Sequence, residues 1–153
     1  MSEKIAVKMR RATFKDLKVL PNIEIHTVKH DNWKYMDFVL RFLTPGYCFL
    51  VAEKDNQIIG FITYYYIGHW SHGMLMGVMP EFQHHGIGTK LMVGMFKDLH
   101  KRKVKTVRLE VRGHNEHAIA MYYKLGWKLI KKNEHYYPDD DCLIMTRDLT
   151  TIK

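Results

Sequence analysis

The sequence has no long apolar run. Its purely apolar stretches span only a few residues and its start, MSEKIAVKMRRAT, is charged. A membrane-spanning helix needs about 20 apolar residues and a signal peptide needs an apolar core, so the expected location is the cytoplasm. Cysteine is scarce. Cys48 and Cys142 lie far apart in apolar, strand-like runs and form no CxxC pair, which reads as free buried thiols in a reducing compartment rather than a disulfide or a zinc site. Metal signatures are missing as well. The 10 histidines include the close pairs His26/His30, His69/His72 and His114/His117, yet no HExxH or Cys/His set accompanies them, so no metal is expected. No run of six or more like charges marks a disordered tail, and no repeat, linker or low-complexity segment divides the chain.

What is present is an ordinary globular composition, 46% apolar and 26% charged across 153 residues. A chain of this length folds as one domain, residues 1–153, burying roughly 68–70% of the surface its unfolded form exposes. Lys and Arg number 24 against 16 Asp and Glu, a net charge of +8. That balance favours a polyanionic partner such as nucleic acid, ribosome, anionic lipid or a phosphorylated cofactor, without choosing among them. Local clusters occur at Lys101-Arg102-Lys103 and Lys131-Lys132.

Periodicity supplies the elements. Ile5 to Arg10 reads as a short strand, and Thr13-Phe14-Lys15-Asp16 as a capping box opening a helix that Pro21 kinks or interrupts. Trp33, Met36, Val39, Leu40 and Leu43 recur at helical spacing, ended by Pro45-Gly46. YCFLVAE and IIGFITYYY are strands joined by a short polar loop. A loop from Gly68 to Gly73 leads to a third apolar run, Met74 to Met79. After QHHGIG, Leu91, Met92, Met95, Phe96 and Leu99 line a helical face. In VKTVRLEV, Val107, Leu109 and Val111 face one way and Arg108, Glu110 and Arg112 the other. A helix from Glu116 to Leu125 is stopped by Gly126 in a left-handed conformation. Strands around Trp127–Asn133 and Cys142–Leu149 follow, separated by the segment Tyr136 to Asp141. The pattern is that of a mixed sheet with helices on its faces.

QHHGIG, Gln83 to Gly88, joins a strand to a helix, and unpaired amides at such a junction attract phosphate. A P-loop is excluded, because no glycine stands five residues before Gly88 and the order after it is wrong. The dinucleotide fingerprint matches two of three glycines, but six residues separate the strand from Gly86, and Leu91 replaces the third glycine. The remaining reading is Q-x-x-G-x-G.

With Val78-Met79-Pro80 upstream, Gln83, Gly86 and Gly88 resemble the acetyl-CoA motif of the GNAT superfamily of N-acetyltransferases. LEVRGHNEHAIAMYYKLGW adds a second constellation, with Asn115, Ala118, Tyr122 and Gly126 at spacings of three or four. Joined to the later YYP run, this is similar to the N-terminal protein acetyltransferases of the RimI type. The resemblance implies a single-domain α/β fold of mixed α+β character, a central, mostly antiparallel sheet of about seven strands flanked by about four helices. It also implies acetyl-CoA as cosubstrate, held by main-chain groups around Met76, Gly77 and Val78, by Gln83 and the amides of His84, His85, Gly86, Ile87, Gly88 and Thr89, and by Asn115.

By the same resemblance Glu110 is the general base, acting through a water or with a raised pKa, since an ordinary carboxylate near 4.3 is a poor base for an α-amine near 7.7–8.0. Read from the residues alone, Glu110 is rather an ion-pair partner of Arg108 or Arg112, two residues away on the same face. Tyr122 returns a proton to the thiolate, Tyr136 and Tyr137 reach over the substrate backbone, and His72 is an auxiliary candidate base. Asp139 to Asp141 are candidates to receive a cationic N-terminus. The loop His26 to Trp33 would shape peptide selection. The implied reaction is direct transfer of acetyl to a protein N-terminal α-amine, including that of a ribosomal protein or at the ribosome, by a monomer or weak dimer, with neither membrane nor nucleic acid as direct ligand. Lysine or polyamine acetylation, or a non-catalytic, CoA-binding module associated with ribosome or RNA through Lys101 to Lys103, is the alternative.

Overall fold

The computed structural model describes residues 5–27 and 33–152. Its elements follow the sequence closely: β1 (Lys8–Arg11), a 3-10 turn (Phe14–Lys18), α1 (Leu20–Thr27), α2 (Tyr35–Phe42), β2 (Tyr47–Lys54), β3 (Gln57–Ile67), β4 (Trp70–Val78), a 3-10 turn (Pro80–Phe82), α3 (Ile87–Lys101), β5 (Thr106–Arg112), α4 (Glu116–Lys124), β6 (Lys128–Tyr137) and β7 (Asp140–Asp148). The seven strands form a mixed sheet in the order β1-β2-β3-β4-β5-β7-β6. β1–β2, β2–β3, β5–β7 and β6–β7 pair antiparallel, and β4–β5 pair parallel. Among the described residues no helix is long and apolar enough to cross a membrane.

Contacts divide the chain into two compact units. The first comprises the chain up to Tyr65 with Met74–Met95. Its core gathers Leu17, Leu20, Ile23, Phe38, Val51 and Phe61, with Phe38 edge-on to Phe61 (ring centroids 5.7 Å apart) and to Trp33 (5.3 Å). Asp16 accepts hydrogen bonds from the Thr13 amide (2.6 Å) and hydroxyl (3.1 Å), the start signal read from the sequence. It opens a 3-10 turn rather than a long helix. Pro21 kinks nothing: it occupies the first turn of α1, where a missing N–H leaves no helical bond unmade.

The second unit comprises Tyr66–Gly73 and the chain from Phe96 onward. The segment expected as a loop from Gly68 to Gly73 is mostly strand. β4 begins at Trp70, because the glycine at 68, with φ +56°, turns the chain in two residues. β5 buries Val107, Leu109 and Val111 as the alternation requires. The β6–β7 hairpin is likewise tighter than read, with only Pro138 and Asp139 between its strands. Both cysteines are free thiols, Cys142 buried and Cys48 half-buried.

α4 ends in a Schellman motif. The Trp127 amide donates to Tyr122 O (3.0 Å) and the Gly126 amide to Tyr123 O (3.1 Å), with Gly126 left-handed at φ +91°. The accompanying apolar contact is Trp127 against Tyr122, ring centroids 5.9 Å apart, and Trp127 also packs on Phe96 (5.8 Å). A Cβ at position 126 would lie 2.8 Å from Arg147 Nε, whose group donates to Leu125 O at 2.9 Å. Gly126→Ala is therefore expected to cost about 1–3 kcal/mol, from backbone strain and the displaced guanidinium. Urea unfolding should record a lower midpoint at unchanged slope.

Candidate active site

The QHHGIG junction lies within the first unit. Gln83 Nε2 donates to Val78 O at 3.0 Å, so its side chain ties the turn back to the end of β4 rather than reaching for a ligand. Two left-handed residues, His84 (φ +65°) and Gly86 (φ +79°), then swing the chain into α3. α3 begins at Ile87, two residues earlier than its apolar periodicity indicates, so Gly88 and Thr89 sit in its first turn. Ile87 is buried and anchors that turn. The helical bonding begins with Lys90 N–H to Gly86 O. The amides of Ile87, Gly88 and Thr89 thus have no helical acceptor, and no acidic side chain stands in the first turn to compete for them. Beside Gly86 there is open space where a Cβ would be. These features suit the pyrophosphate of coenzyme A.

Gly60 escaped the sequence reading. A Cβ there would meet Gly77 O at 3.1 Å, Leu91 Cδ1 at 3.3 Å and Ile87 Cγ2 at 3.5 Å. Glycine inside β3 is what lets both β4 at Gly77 and the start of α3 press against it, and the available signal was a glycine interrupting a strand pattern. Gly77 itself is buried, while Met76 and Val78 are half-buried.

In the second unit, the parallel register of β4 with β5 covers Trp70–His72 against Thr106–Arg108. Because Val107, Leu109 and Val111 face the core, Thr106, Arg108, Glu110 and Arg112 share the opposite face. Glu110 Oε2 makes a hydrogen bond to His72 Nε2. The ion pairs read for Glu110 do not form: Arg112 pairs with Asp139 (3.3 Å), and Arg108 acts on Glu110 only through its charge. The expected raised pKa is also corrected. The hydrogen bond from His72 holds the Glu110 carboxyl below its ordinary range and outweighs the opposing effect of burial. A carboxylate so stabilised is a weaker base than an unpaired one.

Tyr122 projects from α4, half-buried, and burial pushes its phenol up to about 12. Among the described residues its hydroxyl has no hydrogen-bond partner, and Tyr123, its rival, is 51% exposed. Asn115 caps α4, accepting from the Ala118 amide through Oδ1 at 3.3 Å, which leaves its NH2 group available to a ligand. Tyr136 and Tyr137 meet edge to face at 5.0 Å, with the Arg112 guanidinium 3.8 Å over the Tyr137 ring.

The three aspartates read as receivers of a substrate amine are engaged within the protein. Asp139 holds Arg112, Asp140 binds His114 Nδ1 (2.7 Å) and its amide (3.0 Å), and Asp141 accepts from the His135 amide (2.9 Å) and faces Lys132 Nζ (3.5 Å). Residues 28–32, within the His26–Trp33 segment expected to select peptides, lie outside the described residues. Among the described residues no cluster of three or more His, Cys, Asp or Glu side chains could hold a metal ion.

The chain is similar to known acetyltransferases in sequence and fold. A family model described as the acetyltransferase (GNAT) family matches residues 13–127. An N-alpha-acetyltransferase of Saccharolobus solfataricus is 30% identical over 92% of each chain. The crystal structure of the ribosomal-protein-S18-alanine N-acetyltransferase from Escherichia coli superposes with a TM-score of 0.87 over 94% of each chain at 24% identity. The PaiA N-acetyltransferase of Thermoplasma acidophilum, solved in complex with coenzyme A, gives 0.73 over 94% of this chain and 99% of that one at 22% identity. From the strand-to-helix junction to the capped helix bearing Tyr122, the chain belongs to the acetyltransferase (GNAT) family.

Proposed function

We propose that the protein acetylates the α-amino group of a protein N-terminus by direct transfer from acetyl-CoA. The observation that carries this reading is the contact between His72 and Glu110. When the imidazole donates Nε2–H to the carboxylate, Nδ1 is left with a lone pair that can take a proton. An α-amine near 7.7–8.0 gives up its proton far more readily than a lysine near 10.4, so a single imidazole lone pair suits the former. Glu110 orients the ring. The relative from Saccharolobus solfataricus, named an N-alpha-acetyltransferase, supports the same acceptor.

Acetyl-CoA supplies the thioester carbonyl that the amine attacks. In the first unit the amides of residues 84–89 would take the pyrophosphate and the main chain of Met76–Val78 the arm and thioester; in the second unit the Asn115 NH2 group would offer a donor to the arm. Tyr122, at about 12, stays protonated throughout the working pH range. Against a thiol near 8.5 a full transfer from this phenol is uphill by about 3.5 units, so its first contribution is a hydrogen bond to the departing sulfur. Tyr136 and Tyr137 cover the peptide backbone. Neither cysteine enters the reaction, which proceeds without an acyl-enzyme.

Coenzyme A release measured with peptides bearing free or blocked α-amines, and with lysine-containing controls, tests the acceptor. Release is expected only with a free α-amine. Turnover that survives α-blocking and requires lysine would replace this reading with side-chain acetylation. Glu110→Gln, His72→Ala and Tyr122→Phe should each lower kcat by roughly 10²-fold, as steady-state coenzyme A release would record.

The hydrogen bond has a signature at equilibrium too. Glu110 titrates lower in the folded than in the unfolded chain. Its stabilisation is therefore complete above the ordinary value of 4.5 and disappears as pH falls through the folded value. Carboxyl-detected NMR should find that folded value below 4.5, and His72→Ala should raise it.

A further inference from the structure

The end of α3 and the turn into β5 carry Lys97, Lys101, Arg102, Lys103 and Lys105 against one carboxylate, Asp98. Asp98 is occupied by Arg102 at 3.1 Å, and the same guanidinium donates to Tyr66 Oη (3.1 Å) while lying 4.9 Å over the Tyr66 ring. The four lysines are exposed, and among the described residues none has a carboxylate at ion-pair distance. Lys97 and Lys101 stand one helical turn apart as like charges, which is unfavourable. The negative end of the helix dipole accommodates Lys101. It does not account for Lys103 or Lys105, which lie beyond the helix. Lys103 moreover adopts a left-handed backbone, φ +62°, that glycine would adopt at less cost.

The β3–β4 turn is sewn to this segment. His69 O accepts from the amides of Lys105 (2.7 Å) and Thr106 (3.3 Å), and His69 Nδ1 contacts Lys103 O at 3.0 Å. The stitching and the parallel register set Trp70, 38% exposed, level with Thr106 and so one residue from Lys105, with its ring 6.0 Å from that of His72. Cations without internal partners next to an exposed indole are the two components of a surface for unpaired nucleic acid: ammonium groups track phosphates and the ring stacks on a base. We propose that this surface binds single-stranded RNA, the lysines on its phosphates and Trp70 against a base. An acidic protein segment would satisfy the lysines and leave the indole without a stacking partner, so RNA is the occupant that uses both. This inference goes beyond acetyl transfer and does not depend on it.

Fluorescence anisotropy of a labelled oligouridylate of about 12 nucleotides with the full chain tests it. Binding is expected to weaken with salt at a logarithmic slope of about −3, as for four phosphate contacts on a single strand. Replacing Lys97, Lys101, Lys103 and Lys105 together with Gln should weaken binding at least about tenfold and flatten the slope to shallower than about −1, while peptide acetylation is unchanged. Trp70→Ala should weaken binding about tenfold at an unaltered slope, and an abasic strand should not distinguish wild type from Trp70→Ala. Lys103→Gly should weaken binding a few-fold while raising the melting temperature, which separates lost contact from lost fold. Equal binding by wild type and the four-lysine variant, or polyglutamate of matched charge binding as tightly as the oligonucleotide, would overturn the proposal.

Discussion

The alternation of β5 governs the chemistry of the second unit. Val107, Leu109 and Val111 are drawn into the core by the ordinary hydrophobic gain of roughly 1.5–3 kcal/mol per large side chain, and the pleat then has no choice about the residues between them. Arg108, Glu110 and Arg112 must emerge on the other face, where Arg108 lies opposite His72 across the parallel pair and Glu110 reaches the imidazole from one residue pair further on. A shift of one residue would bury a carboxylate and two guanidiniums and expose the apolar set, so the register is fixed by the core and the position of Glu110 is fixed with it. The polar pair is a by-product of apolar packing.

Helix ends supply the other half of the chemistry. At the start of α3 the backbone provides donors that the helix cannot use, because two left-handed residues and a buried Ile87 hold the first turn against β3. At the end of α4 the reverse occurs. Carbonyls that would be left over are taken by Gly126 and Trp127, and the Tyr122 ring is held by the indole that completes the cap. The start of α3 is left with free donors, and the end of α4 is closed. Glycine is needed at three points, Gly60, Gly86 and Gly126, for close approach, an open turn and a left-handed stop respectively.

Much of this was legible in the sequence because its signals are local. Period-two alternation located β5, three-and-four spacing located α3 and α4, Gly126 marked a helix stop, and the Q-x-x-G-x-G junction marked the turn into α3. The failures share a cause as well. His72 and Glu110 are 38 residues apart, and no local pattern says that two strands will align them; without the imidazole, the need for a base suited to an α-amine pointed to a relayed water or a raised carboxyl pKa, and the raised pKa is the wrong direction. The aspartates of the β6–β7 turn looked free because Arg112, His114 and Lys132 reach them from other elements. Gln83 looked like a ligand contact because its acceptor, Val78 O, is a backbone atom. Pro21 looked like a break because the start of α1 was read too early.

The strand order in the C-terminal half has one further consequence. β6 touches the sheet only through β7, and β7 lies between β5 and β6. Glu110 pairs with Ile144 and Arg112 with Cys142, partners 34 and 30 residues downstream in the chain. During synthesis, therefore, β6 emerges with no neighbour to join and must wait for the strand that follows it. β7 is the keystone, and a nascent chain holds its carboxylate strand unpaired on one edge until β7 arrives.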